Sequence, residues 1–175
     1  MPEYRRWRQS GGTYFFTVNL FDRRQNLLVD HIADLRAAVA AVRRKRPFVI
    51  DAAVVLPEHL HMIWTLPAGD YDFSTRWRLI KAHFSGNFTA PPNLRTSLQR
   101  HGEKGIWQRR FFEHLIRDED DLAAHVDYIH YNPVKHGHAN RPVDWPHSSI
   151  HQFIQRGIVD AHWGTSGAVC DMDLD

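Results

Sequence analysis

Two apolar runs, Phe48 to Leu56 and His59 to Leu66, are separated only by Pro57 and Glu58, and no other feature of the sequence constrains the fold as strongly. Their length, β-branched content and intervening turn pair predict two adjacent strands, the second central or near-central in a sheet. Within that second run His59 and His61 stand two residues apart, so in a strand both imidazoles leave the same sheet face. Two ring nitrogens on one face can share a metal ion. Histidine accounts for 13 of 175 residues, a density at which about one His-x-His pair arises by chance. Two occur, the second being His136 and His138. The pair alone does not define a site.

A second segment, Asp118 to Pro133, supplies what the pair lacks. Asp118 is placed to cap a helix, the acidic run Glu119-Asp120-Asp121 suits its positive end, and Pro133 is expected to stop it. Leu122, Val126 and Ile129 recur at helical spacing as the buried stripe. Asp121, His125, Tyr128 and Asn132 fall on a neighbouring stripe, with Asn132 one turn ahead of Tyr128 and His125 one turn behind. Two histidine nitrogens and an amide oxygen leave room for water and a phosphate oxygen, which suits Mg²⁺ or Mn²⁺ better than a closed zinc site. Such an ion polarises a phosphodiester, and Tyr128 is the candidate nucleophile. Its phenol is neutral at pH 7, and ionising it costs roughly 4 kcal/mol, which the metal or a proton acceptor such as His125 must offset.

The remaining order alternates strands and helices. Gly12 to Phe21 reads as a strand and Asp22 to Asn26 as a loop. Asp30 is expected to cap a helix carrying Ile32, Leu35, Val39 and Val42, whose last turn, Arg43-Arg44-Lys45-Arg46, complements the dipole before Pro47. Ser74 begins another helix with Trp77, Ile80, Phe84 and Phe88 on its apolar side and Arg76, Arg78 and Lys81 on its polar side. Residues 90–105 read as an exposed loop, and Ile106 to Ile116 as a further strand that places Arg109 and Arg110 beside the site. His130, His136 and His138 gather at the end of the tyrosine helix, where they are expected to act as C-terminal cations. Glu58 is expected to point away from His59.

Composition bounds the rest. A 175-residue chain with 43% hydrophobic residues can bury a core without staples. The single cysteine, Cys170, excludes an internal disulfide or a multi-cysteine zinc site and suits the cytoplasm. No apolar run reaches the length of a membrane span. Residues 1–50 hold ten Lys or Arg against four Asp or Glu. Basic residues interleaved with aromatics, as at Tyr4-Arg5-Arg6-Trp7-Arg8, suit a nucleic-acid backbone and unpaired bases, so Arg5, Arg6, Arg8, Arg109 and Arg110 are the candidate DNA contacts.

His59-Leu60-His61, the helix ending Tyr128-Ile129-His130-Tyr131-Asn132-Pro133-Val134-Lys135-His136-Gly137, and the following Asp144-Trp145-Pro146-His147-Ser148-Ser149 together resemble the REP-associated tyrosine transposases. These are single-tyrosine members of the HUH nuclease superfamily. Gly12 to Val18 and Ile106 to His114 match as well, and the resemblance runs from about Tyr4 to Phe153. It implies an α+β, ferredoxin-like antiparallel sheet with helices packed on it, a metal site at His59 and His61, and Tyr128 as nucleophile. The third ligand of the superfamily sits one turn after the tyrosine, where this chain has Asn132. The resemblance also implies cleavage of single-stranded DNA beside palindromic hairpins through a 5′-phosphotyrosine with a free 3′-hydroxyl, by a monomer or homodimer. The catalytic domain is expected over residues 1–155, leaving a tail, 156–175, without an assigned role.

Two other classes compete. A protein that retains hairpin affinity without cleavage is disfavoured because all four candidate catalytic residues are present. A ferredoxin-like RNA-binding domain stacks bases on sheet aromatics, and a histidine pair with a tyrosine on a helix, in place of aromatic signatures on two central strands, disfavours it.

Overall fold

A computed structural model describes residues 8–166. Strands β2 (Val49–Val55) and β3 (His59–Thr65) pair antiparallel across Pro57 and Glu58, as the two apolar runs predict. Strand β1 (Thr13–Asn19) pairs with the other side of β3, and β4 (Phe112–Leu115) with β1. The resulting order is β2-β3-β1-β4, antiparallel throughout, with β3 in the interior. A short turn α1 (Leu27–Asp30) and helix α2 (Ile32–Lys45) connect β1 to β2, while α3 (Phe73–Gly86) and the short α4 (Thr96–Arg100) lie between β3 and β4. This is the ferredoxin-like arrangement. Helix α5 (Glu119–Lys135), a 3-10 turn (Pro142–Asp144) and α6 (Ile150–Gln155) follow.

Strand alternation sorts the sheet into two faces. Tyr14, Phe16, Val18, Leu60, Met62 and Trp64 pack beneath α2 and α3, where Trp64 stacks on Trp77 with ring centres 4.3 Å apart. Each such large apolar side chain contributes about 1.5–3 kcal/mol by leaving water. The opposite face, with Phe15, Ile63 and Val54, packs against Tyr128 and Ile129 of α5. His59 and His61 alternate onto this second face, so the sheet delivers both imidazoles beneath the tyrosine helix.

The Trp145–Ser149 segment explains how the open edge of β2 is covered. The Ser149 N–H donates to the Ala53 carbonyl and its hydroxyl accepts from the Ala53 N–H, while the Trp145 indole donates to the Val55 carbonyl at 2.9 Å. A sheet edge left bare would expose a row of unpaired backbone groups.

Several expectations are corrected. Asp30 closes α1 instead of capping α2, because burial of Leu28, whose N–H bonds to the Pro57 carbonyl, draws residues 27–30 into an extra turn. Asp72, not Ser74, is the cap of α3 and accepts from the Thr75 N–H. Arg76 is fully buried instead of lying on a polar face. Residues 90–105 are not a featureless loop: α4 buries Leu98, and Lys104 donates to the carbonyls of Ser85 and Phe88 at the end of α3. The span 106–116 is strand only at 112–115, since Trp107 bridges Leu20 separately and Arg109 and Arg110 intervene. Pro133 does not end α5. That helix runs to Lys135 and ends in a left-handed turn at Gly137 (φ 73°), where the Gly137 and His138 N–H groups bond back to Val134 and Pro133.

Candidate active site on the histidine strand

His59 and His61 are buried side by side on β3 with ring centres 4.9 Å apart. Each Nδ1 is committed. His61 meets the Thr17 hydroxyl of the neighbouring strand at 2.9 Å, and His59 meets the Glu58 carboxylate at 2.9 Å. Burial works to raise the Glu58 carboxyl, but the hydrogen bond and charge interaction with His59, aided by Arg23, hold it below the usual carboxylate range. Glu58 therefore reaches His59 despite the expectation that it points away, because it lies in the turn where strand alternation has not begun. With Nδ1 fixed, Nε2 is the nitrogen each ring presents to an ion.

Helix α5 completes the arrangement from above. Its most deeply buried stripe is Asp121, His125, Tyr128, Ile129 and Asn132, whereas Leu122 and Val126, expected as the core stripe, are only half-buried. The polar stripe is thus the one that faces the sheet. The Tyr128 ring stands edge-on to His61 at 5.2 Å, rests against Phe15, and has the Lys135 ammonium 5.1 Å from its centre. Asn132 is fully buried one turn further along, and neither its amide oxygen nor its amide nitrogen has a hydrogen-bond partner; the same holds for His59 Nε2. Buried polar atoms without partners are costly, and a hard cation is the kind of group that would satisfy them. The residues present fit a divalent metal.

Three histidines depart from their expected roles. The turn at Gly137 brings His136 to 5.0 Å from the His59 ring, adding an imidazole whose place in the sequence suggests a helix-end cation. Its partner in spacing, His138, lies instead against Trp145. His130 is buried, bonds to the Ser149 hydroxyl at 2.8 Å, and is pushed down to about 4 by burial, with the nearby His151 adding to the effect, so at neutral pH it is no cation. His125 bonds through Nδ1 to the Asp121 carbonyl and stacks on His114.

The candidate DNA-contacting arginines are dispersed. Arg5 and Arg6 lie outside the described residues. Arg8 lines a surface hollow with Pro67 to Asp72, Ser74 and Thr75 near the far end of β3, about 20 Å from His59 along the strand. Arg109 is engaged by Glu103 at 2.9 Å and by the Ser97 carbonyl, while Arg110 is exposed.

A His-x-His strand beneath a helix carrying Tyr128 and Asn132, on a ferredoxin-like sheet, defines a protein of the single-tyrosine HUH class. No family model matches the sequence. A REP-associated tyrosine transposase of Escherichia coli (strain K12) is 50% identical over 171 residues, covering 98% of this chain and 94% of that protein. A Haemophilus influenzae protein provisionally assigned to the same family is 42% identical over 167 residues, covering 94% of each chain. A solved structure of a REP-associated tyrosine transposase bound to a REP hairpin superposes with a TM-score of 0.84 at 49% identity, spanning 99% of this chain and 96% of that one. The chain belongs to the REP-associated tyrosine transposases. Among its described residues no helix is long and apolar enough to cross a membrane.

Proposed function

We propose that this transposase cuts and rejoins single-stranded DNA beside hairpin-forming palindromic repeats, with Tyr128 as nucleophile and Mg²⁺ or Mn²⁺ held by His59, His61 and Asn132. The observation that carries this reading is the meeting of Tyr128 with His61 at 5.2 Å across the strand and helix layers. The related solved structure, bound to a REP hairpin, supports the substrate class.

When bound, the ion would supply Lewis-acid polarisation of the scissile phosphate. Glu58 and Thr17 hold the two imidazoles by Nδ1 and so fix which nitrogen faces the site. Tyr128 gives up its phenolic proton to solvent, which returns one to the leaving 3′-oxygen, and forms an oxygen–phosphorus bond. The bond from phosphorus to the 3′-oxygen breaks, and that oxygen leaves as a hydroxyl once protonated. The Lys135 ammonium near the Tyr128 ring favours the phenolate electrostatically. Rejoining reverses these steps from the same or another 3′-end.

Tyr131 is the alternative nucleophile. Its ring lies toward Gly164, itself close against Pro142, rather than toward the histidine strand. The test uses an end-labelled single-stranded palindrome with Mg²⁺ or Mn²⁺. Wild type and Tyr131→Phe are expected to give a denaturant-resistant protein–DNA adduct, and Tyr128→Phe is expected to bind the hairpin without forming one. An adduct that persists in Tyr128→Phe overturns the assignment, and hairpin binding by a wild type that never forms an adduct favours a binding protein without cleavage.

A further inference from the structure

We propose that His114, Asp121 and His125 form a second metal site, of the zinc type, that ties the edge strand β4 to the first turns of the tyrosine helix. One ligand atom from each of the three lies within 4.8 Å of the others. His114 Nε2 is 2.9 Å from one Asp121 carboxylate oxygen and His125 Nδ1 is 3.1 Å from the other. Donors around a tetrahedral zinc ion, with bonds of about 2.0–2.2 Å, stand roughly 3.3 Å apart. Each imidazole therefore already stands at ligand-like distance from the carboxylate, and an ion enters by exchanging the hydrogen bonds of the cluster for metal bonds.

The chemistry of the donors also fits. Two imidazoles and one carboxylate leave a fourth position for water. His125 and Asp121 are buried, while the His114 side chain is 28% exposed, so an ion has an approach from the β4 side. The two imidazole rings stack at 4.6 Å with planes 13° apart, so one of them tilts for both in-plane lone pairs to meet at one ion. His125 Nδ1 donates to the Asp121 carbonyl at 2.8 Å, so an ion taken through Nδ1 replaces that hydrogen bond and moves the ring proton to Nε2, which is buried without a hydrogen-bond partner. Burial also favours the neutral form of His125, the form a metal takes. Arg117 faces the site, with its N–H and its guanidinium both on Asp121, but its side chain is 72% exposed and can turn into water when a cation enters.

The cluster is separate from the histidine strand. The Phe15 ring touches His61 at 5.5 Å and His125 at 4.8 Å, so one aromatic side chain adjoins both groups. An ion in the second group would bridge β4, which among the described strands pairs with β1 alone, to the helix that carries Tyr128. It would hold the nucleophile's helix on the sheet without touching the reacting atoms.

The experiment uses the full chain, stripped of metal and titrated with Co²⁺ and Zn²⁺. Wild type is expected to bind two equivalents, and His59→Ala/His61→Ala to retain one with the visible Co²⁺ spectrum of a four- or five-coordinate site. Adding His114→Ala or Asp121→Asn to that double variant is expected to weaken the remaining site by at least roughly tenfold, the lower end of the loss seen even for outer-shell partners. Zn²⁺ should raise the melting temperature of the double variant and not of its His114→Ala derivative. Should the double variant fail to fold, the single His114→Ala variant decides, since its stoichiometry must fall from two to one. A wild type that binds one ion, lost on His59→Ala, overturns the proposal, as does Zn²⁺ affinity unchanged by His114→Ala and Asp121→Asn.

Discussion

Arg76 is buried between the helices and the β2 end of the sheet, with its guanidinium donating to both Asp70 oxygens and to the carbonyls of Arg46, Pro47 and Asp72. Its place on α3 reads as a solvated helix face in the sequence, because periodicity carries no information about the Asp70 carboxylate or about the Arg46 and Pro47 carbonyls that arrive from the end of α2. Arg76→Met should cost about 3 kcal/mol, since the acceptors left behind are partly buried; urea denaturation measures it, and a loss below about 1 kcal/mol would place the guanidinium in water. His130 makes a prediction with a definite pH sign. Its folded value of about 4 lies below the ordinary histidine value of 6.5, so between them the unfolded chain binds a proton that the folded chain refuses. The stability from this group is complete above about pH 6.5 and declines as pH falls toward 4, by on the order of 3 kcal/mol in all. Thermal unfolding of His130→Gln should show a flatter acid limb than wild type; parallel curves would assign the acid sensitivity to other groups.

At the scale of elements, the tyrosine helix shows which signals are local. Asp118 accepts from the Asp121 N–H at 2.8 Å, as its position before an acidic turn predicts, and Asp118→Ala should cost about 1 kcal/mol. The other end runs past Pro133, because a proline costs only the bond of its missing N–H and a clash with the preceding turn. In the last turn that cost is small enough for Val134 and Lys135 to continue the helix. Gly137 makes the stop: its φ of 73° suits no side chain well, although space around it is open. Gly137→Ala should cost roughly 1–2 kcal/mol from backbone strain alone, and because that turn carries His136 toward His59, it should also weaken Mn²⁺ binding. Calorimetry on the folded variant checks both. Unchanged stability would mean that the turn tolerates a left-handed alanine.

Across the whole molecule the charge distribution decides how nucleic acid is held. Arg109 already has Glu103 and the Ser97 carbonyl as partners, while Arg110 stands exposed. Each phosphate contact steepens the log-log dependence of affinity on salt by about 0.7–0.9. Arg110→Ala should therefore flatten that slope for a hairpin DNA by close to one contact, and Arg109→Ala should change it less. A larger effect from Arg109→Ala would show that DNA displaces Glu103. Arg8, near the opposite end of β3, contributes only if the bound strand extends across the sheet.

What the sequence determined by itself is local and periodic. Alternation placed His59 and His61 on one face, the helical repeat put Tyr128 and Asn132 on one stripe, and the motif carried by both segments identified the family. Those patterns depend on neighbours within a few residues, so they survive without knowledge of the fold. The tertiary structure decided everything that depends on which distant faces meet: Thr17 reaching His61 from β1, His136 folding back onto His59, Trp145 to Ser149 sealing the edge of β2, and His114 meeting His125 over Asp121. The stripe of α5 illustrates the reason. Hydrophobicity points Leu122 and Val126 inward, yet the sheet beneath offers His114 to Asp121 and sets the Tyr128 ring on Phe15 and His61, so contacts from distant strands, not the helix's own apolar pattern, choose the buried face.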